Sequence, residues 1–139
     1  MMRGALRWRD RGSVTPFVAI IAGGLIFVAG MVYDGGMVLS TYTRAGDLAA
    51  NAARAAAQAT DPAELYATGT VRLDEDDARA RADALLAQAG HPGTGDVNVE
   101  GNQVTVTVTL QHNPRILPIS ARSISASASA TAVRGVEGG

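Results

Sequence analysis

The sequence predicts an α+β fold: a long N-terminal helix, transmembrane and then amphipathic, packed on a small antiparallel sheet with one further helix. Three observations predict it. The 22 positions from Gly12 to Tyr33 carry no charge and contain a nearly unbroken apolar run. The residues that follow set an alanine-rich stripe against a polar stripe at helical spacing. Further along, two stretches alternate at every second residue, the period of a strand.

The apolar run comes first. A helix of 20 residues rises about 30 Å, the thickness of a bilayer's hydrocarbon core. The run is longer than the apolar stretch of a cleaved secretory signal (about 7–15 residues), and Asp34-Gly35-Gly36 continues a helix better than it makes a cleavage site. A retained anchor is therefore expected. A buried helix of a soluble domain fits poorly, because the rest of the chain has few large apolar side chains to wrap it. Pro16 suits the first turn, with Ser13 or Thr15 as cap. The flanks give a direction. Residues 1–12 carry four arginines against Asp10, a net of +3, whereas residues 34–139 carry eight arginines against twelve carboxylates, a net of −4. Arginine near a span is retained in the cytoplasm, so the N-terminus is expected inside and the remainder outside. Trp8 and Tyr33 suit the two interfacial zones.

The helix is expected to continue from about Met37 to Thr60. Val38, Tyr42, Ala45, Ala49, Ala52 and Ala56 form its apolar stripe, and Ser40, Arg44, Asp47, Asn51, Arg54 and Gln58 its polar one. Asp61-Pro62 ends it, because the residue before proline disfavours the helical region. Thr70 to Leu73 reads as a short strand with Val71 and Leu73 inward. Asp74 caps a second helix, Glu75 to Ala89, whose first-turn carboxylates sit at the positive end of the macrodipole. Its buried face is Ala78, Ala82, Leu85, Leu86 and Ala89, and Gly90 and Pro92 stop it.

A hairpin follows. Val97–Glu100 and Gln103–Leu110 flank Gly101-Asn102, and a two-residue loop pairs Val99 with Val104 and Val97 with Val106 on one face. Residues 111–122 form a loop with Pro114 and Pro118. The last strand puts Ile124, Ala126, Ala128, Ala130 and Ala132 on one face and Ser123, Ser125, Ser127, Ser129 and Thr131 on the other. The chain thus divides into a basic cytoplasmic N-terminus (1–12), a transmembrane helix (13–33), its outer extension (34–60), a small α+β outer domain (61–134) and a flexible tail (135–139).

Composition narrows the chemistry. No cysteine is present, which excludes disulfides, thiol catalysis and cysteine-ligated metals. All twelve positive charges are arginine, and the overall net charge of −1, negative beyond the anchor, argues against a nucleic-acid partner. Aromatic residues are only 4%, so the outer domain has a thin core that leans on partner subunits or the membrane.

The side chains that could carry function are these. Asp34 stands at the outer end of the span, where it either contacts a partner and sets helix register or simply marks the interface. Ala19, Gly23 and Gly30 lie near one helix face beside Gly24, where small residues let a second anchor helix approach. Asp74 to Asp77 lacks the alternating ligands and glycine of a calcium loop and reads as a helix start. His91 and His112 stand alone, without the paired spacing of a metal site. Ser123 to Ser129 are a polar strand face with no nucleophile elbow, and no phosphate-binding glycine loop occurs. No catalytic, metal-ligating or cofactor-binding residue and no cofactor are expected, and the protein reads as a non-enzyme. Ile116-Leu117-Pro118-Ile119 is an apolar loop centre that either touches a partner or membrane or caps the thin core.

Three segments together resemble a known family. Arg11-Gly-Ser-Val-Thr-Pro-Phe-Val-Ala-Ile-Ile21, Ala29-Gly-Met-Val-Tyr-Asp34 and Arg44-Ala-Gly-Asp-Leu-Ala-Ala-Asn-Ala-Ala-Arg-Ala-Ala-Ala57 are similar to the N-terminal module of TadE/TadG-like pilus assembly proteins of tight-adherence (Flp) pili, over about residues 9–58. Gly12 before the anchor, Asp34 at its outer end and the alanines of 49–57 carry the likeness. The resemblance implies a membrane-anchored, non-enzymatic minor pilin or pseudopilin-like component. Its partners would be the lipid bilayer, other pilins or platform proteins, with homo- or hetero-oligomers formed through the anchor. It also points to processing between Gly12 and Ser13, but the fifth residue after that cut is Phe17 where prepilin peptidase substrates usually have glutamate, so an uncleaved anchor fits better. The alternative function is a single-pass envelope protein whose outer domain binds a ligand or the cell wall.

Overall fold

The apolar run and the alanine-rich stripe form one uninterrupted helix, α1 (Val14–Ala56), of 43 residues. At 1.5 Å per residue it is about 65 Å long. The computed structural model describes residues 14–116 and 120–133. After α1 come two shorter helices, α2 (Pro62–Thr68) and α3 (Glu75–Gln88), and three strands, β1 (Gly95–Glu100), β2 (Gln103–His112) and β3 (Arg122–Thr131). The strands form one antiparallel sheet in the order β1-β2-β3. The fold is α+β, with α1 and α3 covering one face of the sheet.

The hairpin register is the expected one: Val97 opposes Val106 and Val99 opposes Val104. Gly101, at the first position of the two-residue loop, carries φ of 64°, the left-handed value that glycine reaches without a Cβ clash. β2 is the central strand. Val104, Val106, Val108 and Leu110 are buried beneath α1, which supplies the cover that the longer second strand requires. On β3, Ala126 is buried and Ala128 and Ala130 are half-buried toward the helix. A Cβ at Gly46 would stand 4.0 Å from that of Ala126, so helix and sheet meet over very small side chains. The opposite face of the sheet is a hydroxyl ladder: Thr105–Ser129, Thr107–Ser127 and Thr109–Ser125 are hydrogen-bonded at 2.8–2.9 Å.

On α1, Ala45, Ala49, Ala52, Ala53 and Ala56 are buried, while the six polar-stripe residues are exposed. Val38 and Tyr42, expected in the buried stripe, are exposed instead. The sheet meets α1 from about the level of Thr41, where His112 at the end of β2 lies beside the helix, and among the described residues the cover there leaves Val38 39% and Tyr42 52% exposed.

The segment after α1 departs further from the sequence reading. α1 ends at Ala56 and not at the expected Thr60, and Asp61-Pro62 does not stop it but starts α2. Asp61 caps α2 by accepting from Ala63 N at 2.9 Å and Glu64 N at 3.3 Å, and Pro62 occupies the first turn, where its missing N–H costs nothing. Residues 70–73 form no strand. A single antiparallel bridge joins Thr60 to Leu73, flanked by Asp61 N to Arg72 O and Asp74 N to Ala59 O, each at 2.9 Å. Leu73 is buried and Val71 half-buried, as the pattern predicts. Asp74 caps α3 through Asp77 N at 3.0 Å. Ala78, Ala82 and Leu86 are its buried residues and Leu85 is half-buried, whereas Ala89 is exposed because it serves as the C-cap.

Candidate functional site

Among the described residues no compact constellation of reactive groups is found. The molecule's distinctive surface is the first half of α1 and the place where the α+β domain meets it. Over Val14 to Tyr33, large apolar side chains point outward on every side: Phe17, Ile20, Leu25, Ile26 and Val32 are all more than half exposed. By length and composition this helix can cross a membrane, and it stands near the N-terminus of the chain.

The small residues divide into two groups. Ala19 and Gly23 are exposed, and a Cβ at Gly23 or Gly24 would meet nothing within 4 Å. Gly30 is buried, and a Cβ there would come within 2.9 Å of Ile116 Cγ2. Asp34, one turn further on, is also buried, and its Oδ1 accepts the backbone N–H of Arg115 at 3.4 Å. Gly30 and Asp34 therefore form one seam with Arg115 and Ile116, separate from the open Ala19–Gly23 stretch.

Simple geometry leads the chain to that seam. β2 runs antiparallel to α1 and ends at His112, whose Nδ1 lies 3.4 Å from Thr41 Oγ1. From Thr41 back to Asp34 is seven helical residues, about 10 Å at 1.5 Å each. From His112 to Arg115 is three residues, also about 10 Å when extended at 3.3 Å each. The β2–β3 connection thus leaves the sheet and follows α1 toward its N-terminus. The local sequence held no sign of this pairing, since Asp34 and Arg115 are 81 positions apart; only the apolar character of Ile116 marked the loop.

Elsewhere the geometry offers little for chemistry. An open groove of about 610 Å³ between α1 and the end of β2 is lined by Met37, Ser40, Thr41, Arg44, His91 and Gln111 among others, with no carboxylate. His112 is buried, and its Nε2 has no hydrogen-bond partner among the described residues. Glu75–Arg79 and Asp77–Arg81 pair at 3.3 and 2.9 Å along α3, so the first-turn acids serve that helix. No group of three histidine, aspartate or glutamate side chains among the described residues is placed to hold a metal. Gly12 and Ser13, the candidate processing position, lie outside the described residues, as do the N-terminal arginines, Trp8, Leu117 to Ile119 and the tail from residue 134.

The continuous anchor-and-alanine helix is the part of the chain that comparison identifies. Residues 12–59 match the family model described as putative Flp pilus-assembly TadE/G-like. The match spans α1 and little else, about a third of the chain, and it is this module that is similar to the TadE/G-like pilus-assembly family. No curated protein and no solved structure matches the chain.

Proposed function

We propose that this protein is a membrane-anchored, non-enzymatic component of Tad/Flp-type pilus assembly, similar to a minor pilin or pseudopilin. The N-terminus would be cytoplasmic and the α+β domain extracytoplasmic. The observation that carries the reading is α1 itself. Its first half exposes large apolar side chains all round, its second half buries only alanine against a sheet, and the family match coincides with its length. Such a helix tethers a domain to a bilayer and holds it at a fixed distance. The positive charge before the span and the negative balance after it support the orientation.

The open small-residue stretch is the surface proposed for other anchors. Ala19 and Gly23 admit a second transmembrane helix at close range, where packing and not the hydrophobic effect drives association. Gly30 is already covered by Ile116 of the same chain and drops out of that surface.

The test is deletion and complementation in the native host. Deletion should abolish or sharply reduce surface pili, and the wild-type chain should restore them. A chain with Ala19→Leu and Gly23→Leu should still insert in the membrane yet restore piliation several-fold less well. Normal piliation in the deletion strain would refute the proposed function, and full complementation by the double variant would remove the helix-packing surface.

A further inference from the structure

We infer that Arg115 and Ile116 are a second membrane contact: the β2–β3 connection brings the outer domain down to the bilayer surface, with Ile116 in the outer leaflet beside Gly30. The inference rests on the anchor reading above. Asp34 is the first charged residue after the uncharged run, so the boundary between hydrocarbon and headgroups falls near it. Gly30 lies four residues deeper, about 6 Å along the helix. Ile116 is seated over Gly30, on the hydrocarbon side of Asp34.

The chemistry of the contact grades with depth. Ile116 covers Gly30 with one side and leaves 53% of its surface outward, which at that depth faces acyl chains and not water. Arg115 is exposed one position earlier, at the level of Asp34. Its long stem and guanidinium suit the headgroup zone, where lipid phosphates are the matching anions. The Arg115 backbone N–H is held by the Asp34 carboxylate, so this amide has a partner where water is scarce. Gly30 provides the notch, because any larger side chain there would push Ile116 outward. The outer domain is thereby attached to the bilayer at two points, the span and this loop, and cannot swing freely about the neck of α1.

The chain has no cysteine, so single-cysteine labelling of the full-length protein is clean. Ile116→Cys, Ile21→Cys in the span and Ala87→Cys on the exposed side of α3 would each carry an environment-sensitive fluorophore. The proteins would be reconstituted in phosphatidylcholine–phosphatidylglycerol vesicles, with or without lipids brominated high on the acyl chain. Ile116→Cys should emit at shorter wavelength than Ala87→Cys and lose at least half its emission to the brominated lipid. Emission and quenching equal to those of Ala87→Cys, with Ile21→Cys blue-shifted and dry, would overturn this inference and leave the anchor intact. A solvent-exposed Ile21→Cys would overturn the anchor reading and this inference with it. Adding Gly30→Leu to Ile116→Cys should cut the quenching at least two-fold; unchanged quenching would show that the Gly30 notch does not hold the loop at depth.

Discussion

The two ends of α1 invert the usual relation between side-chain size and burial. In the first half, Ile20 is 74% and Ile26 72% exposed, while in the second half Ala45, Ala49, Ala52, Ala53 and Ala56 are each at 0%. One continuous helix thus faces two different environments. Where the solvent is lipid, bulk is useful on all sides and no protein cover is needed. Where the neighbour is a sheet, the fully buried residues of the helix are all alanine, with Leu48 half-buried at the edge, because valines of β2 and the leucines Leu110 and Leu86 fill the space between. Apolar character alone would place the core in the wrong half of this helix; what marks the core is a one-sided stripe of small residues.

The same substitution in both regions tests that contrast most severely. Leu86 is fully buried between α3 and the sheet, and Leu86→Ala should destabilise the α+β domain by about 2–5 kcal/mol. Leu25 is 66% exposed on the apolar half of α1, and Leu25→Ala should leave the thermal unfolding of the α+β domain unchanged. Both are to be measured on the full-length protein in detergent micelles. Equal losses would mean that the span packs into the domain after all.

Adding volume should discriminate in the same direction, with a smaller effect. Ala49 is fully buried in the alanine stripe, so Ala49→Leu should cost about 1–3 kcal/mol through overpacking. A leucine at Gly23 meets nothing within 4 Å of its Cβ and should not alter domain stability. The prediction separates an alanine stripe that is tight from one that is merely small, and differential scanning of the two variants decides it.

How much of this was legible in the sequence depended on the range of the interaction. The hairpin register followed from a two-residue turn and strict alternation, because a slip by one residue would turn Val97, Val99, Val104 and Val106 outward. The start of α3 followed from Asp74, since a cap and the helix it opens are adjacent in sequence. Asp61-Pro62 showed the limit of local signals: α1 stops at Ala56, before the pair that was read as its end, and the pair instead caps and opens α2, which was not foreseen. Val38 and Tyr42 continue a perfect stripe, but a stripe records period and not the length of the sheet that meets it. The Gly30–Ile116 and Asp34–Arg115 seam was not legible, because it depends on where β2 ends beside Thr41 and on the direction of the chain after His112.

The smallest effect concerns the two aspartates that hold backbone N–H groups on either side of this division. Asp74 accepts from Asp77 N at 3.0 Å, wholly within the α+β domain, whereas Asp34 accepts from Arg115 N at 3.4 Å, across the seam. Asp74→Ala removes the N-cap and should lower domain stability by about 1 kcal/mol, within the range of 0.5–2 kcal/mol found for such caps, and Asp74→Asn should recover most of it because the amide oxygen still accepts. Neither change should alter membrane retention or the depth of a probe at position 116, since α3 contacts α1 on the alanine half and β1, far from Gly30. If Asp74→Ala did shift the probe, the two regions would be coupled through the sheet, and the neck of α1 between Asp34 and Ala45 would be part of the domain.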